Sequence, residues 1–232
     1  KDCERMFFGL GLHLGTPGAQ NRFEELLGHV RDEGLSYSDP SVRGYRTTAK
    51  LSYHCDAADV VGLFCLRTAK SGGRSRFVSS VSVWNELFRR RPELAARLFE
   101  PFELDTRGDG GLKFFPIAPC RYANGELRTF YHADYFRTAE QHRGARPLGP
   151  RERELLDLYD QIASEPAMYL EMDFQPGDIQ LLSNHTVLHA RTDYVDYEEP
   201  ERKRHLLRLW LSLPQQRRLN ELPSLAFETL RL

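Results

Sequence analysis

The sequence has few cysteines, no long apolar run and no excess of either charge. Its four cysteines are Cys3, Cys55, Cys65 and Cys120. They form no CxxC pair, which argues against a disulfide scaffold and favours a reducing, cytoplasmic environment. Lys+Arg total 32 against 33 Asp+Glu, so the formal net charge is -1 and a nucleic-acid partner is not expected. No apolar run reaches membrane-spanning length and no signal-like segment leads the chain, so no membrane partner is expected either.

What is present suits a single globular domain. Of the 232 residues, 41% are hydrophobic and 28% are charged, which is enough apolar material for a sizeable core. No internal repeat or linker divides the chain, so we expect one domain over 1–232. The sequence begins at Lys1 and not at Met, and we therefore expect its N-terminal part to be incomplete. The sequence does not indicate an oligomeric state.

Short β-rich runs alternate with a few helical segments. Val60–Leu66, Ile179–Ser183 and Leu206–Leu213 read as strands because apolar and β-branched residues fill them between turn signals. Ser82 is expected to cap one helix, and Pro150 is expected to open another, at its first turn. Many short strands with inserted helices predict a mainly β fold of the sandwich or jelly-roll type.

The first cluster with chemical potential is His54-Cys55-Asp56. On an extended segment, side chains two residues apart point to the same side, so the imidazole and the carboxylate can converge on one ion. Cys55 is then expected to face away as a small buried side chain. Taken alone, the pattern is common in polar loops.

The second cluster is the stretch Asn184-His185-Thr186-Val187-Leu188-His189. His185 and His189 share one face of a strand, so either could be the ligand that joins His54 and Asp56. Two histidines and one carboxylate cover one face of an octahedral Fe(II) ion and leave the opposite face for substrate and oxygen. The same three ligand types also bind zinc.

The third cluster places Arg204 and Arg208 on one face of the last apolar strand. Two guanidinium groups that point from an apolar strand into an interior need anions, and the planar fork of arginine suits a carboxylate.

Together, His54-x-Asp56, His189 and Arg204 resemble the Fe(II)/2-oxoglutarate-dependent oxygenases of the taurine dioxygenase-like (TauD/TfdA) family. The likeness extends from about Tyr45 to Leu213 and includes Lys70-Ser71-Gly72-Gly73 and the approach to His189 from Phe174. The resemblance implies a double-stranded β-helix, a distorted jelly roll, with iron in its mouth.

The resemblance also implies roles for individual residues. His54, Asp56 and His189 would bind Fe(II), which leaves His185 out of the ligand set. Arg204 would bind the distal carboxylate of 2-oxoglutarate together with the Ser75 hydroxyl, which replaces the commoner Thr. Arg208 would approach the co-substrate or a substrate anion, and Asn184 would lie near the metal. Halogenating relatives lack a carboxylate at the position of Asp56, so halogenation is not expected.

The expected activity is oxidation of a small amino-acid-like or specialised-metabolite substrate, with release of succinate and carbon dioxide and with O2 as oxidant. Hydroxylation is expected first, with desaturation and cyclisation as variants. The candidate substrate residues are aromatic: Tyr131, His132, Tyr135 and Phe115. A zinc-dependent hydrolase and a non-enzymatic jelly-roll binding protein are the alternatives, which Fe(II), oxygen and 2-oxoglutarate dependence would separate.

Overall fold

The computed structural model describes residues 1–213 except Arg22, Pro40, 108–110 and Asn124. The helices in these residues are α1 Asp2–Leu14, α2 Ser80–Arg90, α3 Pro92–Arg97, α4 Ala133–Thr138 and α5 Pro150–Ala163. Short 3-10 turns occupy Gly44–Arg46 and Ala139–Gln141. The strands are β1 Thr16–Pro17, β2 Gly28–Val30, β3 Leu51–His54, β4 Val60–Arg67, β5 Ser71–Gly72, β6 Ser75–Ser79, β7 Phe102–Asp105, β8 Phe114–Ile117, β9 Cys120–Ala123, β10 Glu126–Thr129, β11 Tyr169–Met172, β12 Ile179–Ser183, β13 Val187–Arg191, β14 Tyr194–Val195 and β15 His205–Ser212.

Two antiparallel sheets form the framework. One sheet has the order β1-β15-β4-β12, with β2 also paired to β15, and the other has the order β11-β6-β13-β3. From β3 to β4, and from β11 through β12 to β13, the chain passes back and forth between the two sheets. This alternation is the connectivity of a jelly roll and confirms the predicted mainly β fold with inserted helices.

The main apolar core lies between the second sheet and the helices. Val78 and Leu188 of that sheet pack in one buried cluster with Leu87 of α2 and Leu155 and Tyr159 of α5. A smaller cluster joins Phe7 of α1 to the first sheet. The space between the two sheets is lined by polar side chains and by the apolar side chains of Val30, Phe174 and Leu206.

Helix α1 is an element that the sequence did not reveal, because Gly9 and Gly11 lie inside it. Glycine is unfavourable within a helix, yet Gly11 is buried against the first sheet. A Cβ at Gly11 would lie 2.6 Å from Leu209 Cδ1 of β15. The glycine therefore allows the helix to lie close to the sheet.

One local expectation was wrong in detail. The cap of α2 is Ser79 and not Ser82, because the Ser79 hydroxyl accepts from the Ser82 amide at 3.2 Å. After the β9–β10 hairpin the chain enters helix α4. Pro150 opens α5 as predicted, and β4, β12 and β15 lie within a residue of their predicted spans.

Among the described residues, the helices are all too short or too polar to cross a membrane.

Candidate active site

His54, Asp56 and His189 converge at the edge of the second sheet. His54 ends β3, His189 lies on β13, and the two residues are directly paired across the strands. His54 Nε2 lies 4.0 Å from Asp56 Oδ1, and His189 Nε2 lies 3.6 Å from Asp56 Oδ2. One potential ligand atom from each residue lies within 4.8 Å of the others. The structure therefore brings together the three predicted metal ligands.

The ring of His54 is oriented by the backbone. Its Nδ1 donates to the Ser52 carbonyl oxygen at 2.8 Å. Since a carbonyl can only accept, the proton lies on Nδ1 and the lone pair lies on Nε2, the atom that faces Asp56. A fixed tautomer of this kind is typical of metal-binding histidines.

Asp56 is held by three groups from other parts of the chain. The indole Nε1 of Trp210 donates to Asp56 Oδ2 at 2.9 Å, and Arg208 Nη1 lies 3.7 Å from the same oxygen. The Asp56 amide donates to Asn184 Oδ1 at 3.2 Å. Burial raises the pKa of Asp56, but Arg208, the two histidines and the Trp210 hydrogen bond outweigh it, and the net pKa is lowered. The carboxylate is therefore ionised and cannot rotate freely.

His189 is uncharged in this setting. Burial, and after it the nearby His54, lowers the pKa of His189 to about 3. Two imidazoles and one carboxylate on one side of a small space match the donor set of non-haem Fe(II). The three residues therefore fit the metal that the sequence implied.

A first cavity beside the triad is lined by arginines, and we call it the arginine cavity. Arg191, Arg204 and Arg208 line it together with Ser75 and the three triad residues. Arg204 is 4% exposed, and its Nη1 has no hydrogen-bond partner within the described part of the chain. No described carboxylate oxygen lies within 4.0 Å of the Arg204 guanidinium. A buried cation without an anion is costly, so the cavity is suited to an anionic ligand.

Of the other three predicted co-substrate residues, Ser75 and Arg208 line the arginine cavity and Asn184 does not. Ser75 lines the arginine cavity, but its hydroxyl already exchanges hydrogen bonds with Gln180 at 3.1–3.2 Å. Arg208 Nε donates to Gln20 Oε1 at 2.8 Å, and the nearest carboxylate to its guanidinium is Asp56. Asn184 does not line the cavity. It acts on Asp56 through the Asp56 amide.

A second cavity opens on the other side of His54, and we call it the tyrosine cavity. Tyr37, Tyr45 and Tyr135 line it, together with Arg43 and Arg208. Tyr45, His54, Asp56 and Arg208 also line the arginine cavity, so the two spaces meet at the triad.

Three of the four predicted substrate residues line the tyrosine cavity: Phe115, His132 and Tyr135. The His132 ring stacks on Tyr135 at 3.5 Å and lies 4.9 Å from the His54 ring. Tyr131 is not brought there. Its ring packs on Tyr159 at 4.3 Å and its hydroxyl donates to Asp160 Oδ1 at 2.9 Å, inside the helical core.

His185 and Cys55 lie outside the site. His185 Nε2 donates to Asp59 Oδ1 at 2.8 Å, away from the triad. Cys55 Sγ faces the Thr129 carbonyl oxygen at 3.6 Å and belongs to the apolar core. Both positions agree with the roles expected from the sequence.

Several site residues were missed by sequence reasoning. Arg43, Tyr37 and Tyr45 come from a segment without regular patterning, so no signal in the sequence marked them. Arg191 had a usable signal: it follows His189 by two residues on a strand and must share its face. Trp210 lies in an apolar strand that marks it as a core residue, and only its contact with Asp56 shows that it belongs to the site.

Comparisons with known proteins agree with this geometry. The family model described as "Taurine catabolism dioxygenase TauD, TfdA family" matches residues 2–210. The chain is 34% identical to FR-33289 synthase of Streptomyces rubellomurinus over 218 residues, which are 90% of this chain and 63% of that protein. It is 28% identical to the taurine hydroxylase-like protein SAT17 of Stachybotrys chartarum over 220 residues, which are 88% of this chain and 55% of that protein. The chain therefore spans less than two thirds of these relatives.

Solved structures show the same fold at low sequence identity. The structure of an asparagine oxygenase in complex with Fe(II), 2S,3S-3-hydroxyasparagine and succinate has a TM-score of 0.69 and 16% identity. The match covers 89% of this chain and 63% of that one. It confirms the double-stranded β-helix predicted from the sequence.

Proposed function

The chain belongs to the taurine catabolism dioxygenase TauD/TfdA family, and from that premise we propose that it catalyses an Fe(II)- and 2-oxoglutarate-dependent hydroxylation. Substrate, 2-oxoglutarate and O2 would be converted to hydroxylated substrate, succinate and carbon dioxide. The substrate class we propose is a small amino-acid-like molecule or specialised metabolite.

One observation carries the proposal. The triad of His54, Asp56 and His189 adjoins a cavity in which the buried guanidinium of Arg204 has no carboxylate within 4.0 Å among the described residues. A hydrolytic zinc site needs the triad but has no use for this cation. A non-enzymatic binding protein would not need a metal-binding triad next to a buried arginine. A 2-oxo dicarboxylic acid needs both, because one end chelates the metal and the other end carries a carboxylate.

In this proposal His54, Asp56 and His189 hold the Fe(II), and Arg204 holds the distal carboxylate with the Ser75 hydroxyl beside it. Bound together, the metal and co-substrate supply the activation of oxygen, which the protein's own side chains cannot perform. The side chains of the protein bind the metal and the co-substrate and orient them. Arg204 would contribute a charge-assisted pair at a buried position, where such pairs are strong.

The residues around Asp56 keep the ligand set in place. Trp210 and Arg208 stabilise the ionised carboxylate, and the Asn184 amide oxygen fixes the Asp56 backbone. Ser52 holds the proton on Nδ1 of His54, so that Nε2 faces the metal position. Outer contacts of this kind commonly change metal affinity 10- to about 100-fold.

The tyrosine cavity is the proposed substrate site. Phe115, His132 and Tyr135 offer flat apolar surfaces, and Arg43 and Arg208 add positive charge. Such a mixture suits a small molecule that has both an apolar part and an anionic group. The bound 3-hydroxyasparagine of the asparagine oxygenase supports an amino-acid-like substrate.

The test is the co-substrate requirement. Purified protein is mixed with Fe(II), 2-oxoglutarate and O2, and succinate is measured alone and with a panel of amino acids. We expect succinate only when all three are present, and more of it with a true substrate. Zn(II) in place of Fe(II) should give none. Hydrolytic activity with Zn(II) alone, or succinate that does not depend on Fe(II), would contradict the proposal.

A single oxygenase domain over 1–232 and a cytoplasmic location, inferred from the cysteine pattern, are part of the same proposal.

A further inference from the structure

Arg191 is a buried arginine for which the proposed reaction has no assigned role. It ends β13, two residues beyond His189, so both side chains point to the same face of the sheet. Its Cα partner on β6 is Ser75. Arg191 is 6% exposed and lines the arginine cavity with Arg204. It therefore lies where the distal end of a dicarboxylate is expected.

The hydrogen bonds of Arg191 satisfy only one side of its guanidinium. Nη2 donates to the carbonyl oxygens of Thr47 at 2.8 Å and Ala49 at 2.5 Å. Nε and Nη1 have no partner within the described ranges. Buried donors are nearly always paired in folded proteins, so the two remaining donors call for an acceptor in the cavity.

Arg191 and Arg204 form a pair of cations. Their guanidinium carbons lie 4.9 Å and 5.1 Å from the centre of the same ring, that of Tyr194. No described carboxylate lies within 4.0 Å of either guanidinium. An anion that enters the arginine cavity is therefore attracted by both charges and relieves their mutual repulsion.

The other side of Arg191 leads to the tyrosine cavity. Thr47 follows the 3-10 turn Gly44–Arg46, and its hydroxyl donates to the Gly44 carbonyl oxygen at 3.0 Å. Arg43, Gly44 and Tyr45 form part of the wall of the tyrosine cavity. The Arg191 guanidinium thus lines the arginine cavity. Through Thr47 and Ala49 it also holds the backbone next to the wall of the tyrosine cavity.

We propose that Arg191 is a positioning residue that couples the distal carboxylate of 2-oxoglutarate to the conformation of residues 43–49, a segment whose first three residues form part of the wall of the proposed substrate site. This inference rests on the proposed function. When the carboxylate engages the free donors of Arg191, the guanidinium is fixed and so are the two carbonyls that it holds. Because such coupling is reciprocal, an ordered wall in turn strengthens binding of the co-substrate.

The experiment measures backbone hydrogen exchange in 43–49 by mass spectrometry. The protein is loaded with Mn(II), which does not turn over, and saturated with 2-oxoglutarate or with pyruvate, a 2-oxo acid that lacks the distal carboxylate. We expect 2-oxoglutarate, but not pyruvate, to slow exchange of amides such as those of Arg46 and Thr47, which close the turn.

Two variants separate coupling from binding. Arg191→Gln should weaken 2-oxoglutarate binding about tenfold, the effect of one lost charged hydrogen bond. At saturating 2-oxoglutarate it should no longer show slower exchange in 43–49. Arg191→Lys keeps the charge, so it should bind 2-oxoglutarate more tightly than Arg191→Gln does. Because a lysine cannot contact both carbonyl oxygens and the ligand at once, this variant should also lose the slower exchange in 43–49. Arg76→Gln is the control, since Arg76 is adjacent on β6 but pairs with Glu171 outside the site.

The outcomes distinguish the two proposals. Loss of the 2-oxoglutarate-dependent protection in both Arg191 variants, with protection retained in Arg76→Gln, supports the coupling. Protection that persists in either Arg191 variant, or that is absent from the wild type with 2-oxoglutarate bound, overturns the coupling and leaves the proposed function intact. A wild-type protein that binds no 2-oxoglutarate contradicts the proposed function, and this inference with it. If Arg191→Gln does not fold, Arg191→Lys decides.

Discussion

The two cavities that meet at His54 and Asp56 are built in different ways. The arginine cavity is walled by paired strands, with Ser75 on β6, Arg191 on β13 and Arg204 just before β15. The tyrosine cavity is walled mostly by segments outside the two large sheets, including the 3-10 turn near 43–45, the end of β7 and the start of α4. Strand register within a large sheet fixes side-chain direction residue by residue, whereas turns and short elements outside the sheets can change shape without disturbing them.

The charges differ as well. Arg204 and Arg191 have no carboxylate within 4.0 Å among the described side chains, and burial lowers the pKa of Arg191, with Arg204 as the next cause, to about 10. In the tyrosine cavity, Arg208 is already paired with Asp56 and hydrogen-bonded to Gln20. We infer that the arginine cavity is prepared for one fixed anion and that the tyrosine cavity allows variation between substrates.

The largest expected effect comes from removing the carboxylate that both cavities share. Asp56→Ala should reduce succinate formation by more than about 100-fold, since loss of a ligand exceeds the loss of an outer contact. It should also lower the free energy of unfolding by about 3 kcal/mol, because Arg208 stays buried without its anion. Succinate assays and chemical denaturation measure the two effects.

Asp173→Ala, which removes an exposed carboxylate, is the matched control and should change neither quantity. If Asp56→Ala does not fold, Asp56→Asn replaces it in the test, because asparagine has the shape of aspartate without its charge. Oxygen-dependent product formed by either Asp56 variant at the wild-type rate would contradict the ligand assignment.

The next effect separates the cavities by charge. Arg204→Gln should raise the Kd for 2-oxoglutarate about 100-fold, the value of a bidentate charged pair in a buried site. The same change should not lower the melting temperature, because it removes a buried cation that makes no ion pair within 4.0 Å among the described residues. Calorimetric titration and thermal unfolding test the two statements.

Arg202→Gln provides the comparison, since Arg202 is exposed and pairs with Glu199. Unchanged 2-oxoglutarate affinity in Arg204→Gln would show that the arginine cavity has another ligand.

A smaller effect is expected at the indole that holds Asp56. Trp210→Phe removes the hydrogen bond to Oδ2 and should weaken Fe(II) binding about tenfold. Trp84→Phe is matched in chemistry, because Trp84 Nε1 has no hydrogen-bond partner within the described residues. Competition with a chelator measures both affinities. Equal Fe(II) affinity in Trp210→Phe and Trp84→Phe would show that the Trp210 hydrogen bond does not support the metal site.

The smallest effect concerns the region that was taken for substrate contact. Asp160 accepts a hydrogen bond from the Tyr131 hydroxyl. Burial raises the pKa of Asp160 from 3.8 to about 6, although the nearby charge of Arg137 acts to lower it. The folded state therefore binds this proton more tightly than the unfolded state, and stability should fall as the pH rises from about 4 to about 6. The loss is no more than about 3 kcal/mol.

Asp160→Asn should abolish this slope and leave 2-oxoglutarate binding unchanged. Asp157→Asn should keep the slope, because Asp157 contacts the same Arg137 from an exposed position. Unfolding curves at several pH values give the slopes. A change in co-substrate affinity in Asp160→Asn would place Tyr131 and Asp160 in the functional site after all.

The sequence predicted the two cavities about equally well, since three of the four co-substrate residues line the arginine cavity and three of the four substrate residues line the tyrosine cavity. His54 and Asp56 are two residues apart on an extended segment, so their common direction follows from strand geometry alone. Tyr131 and His132 are adjacent, and which of them faces the cavity depends on where β10 ends and α4 begins. The contacts of Arg191 with Thr47 and Ala49 join residues more than 140 positions apart, and no local pattern predicts such a contact.

The central claim is that the triad and Arg204 together hold a metal-chelated 2-oxo acid. The most direct test adds Fe(II) and then 2-oxoglutarate to the protein without oxygen and records the visible spectrum. The account predicts a weak charge-transfer band that saturates with 2-oxoglutarate in the wild type and requires about 100-fold more of it in Arg204→Gln. Folded, iron-loaded protein that shows no band would contradict it.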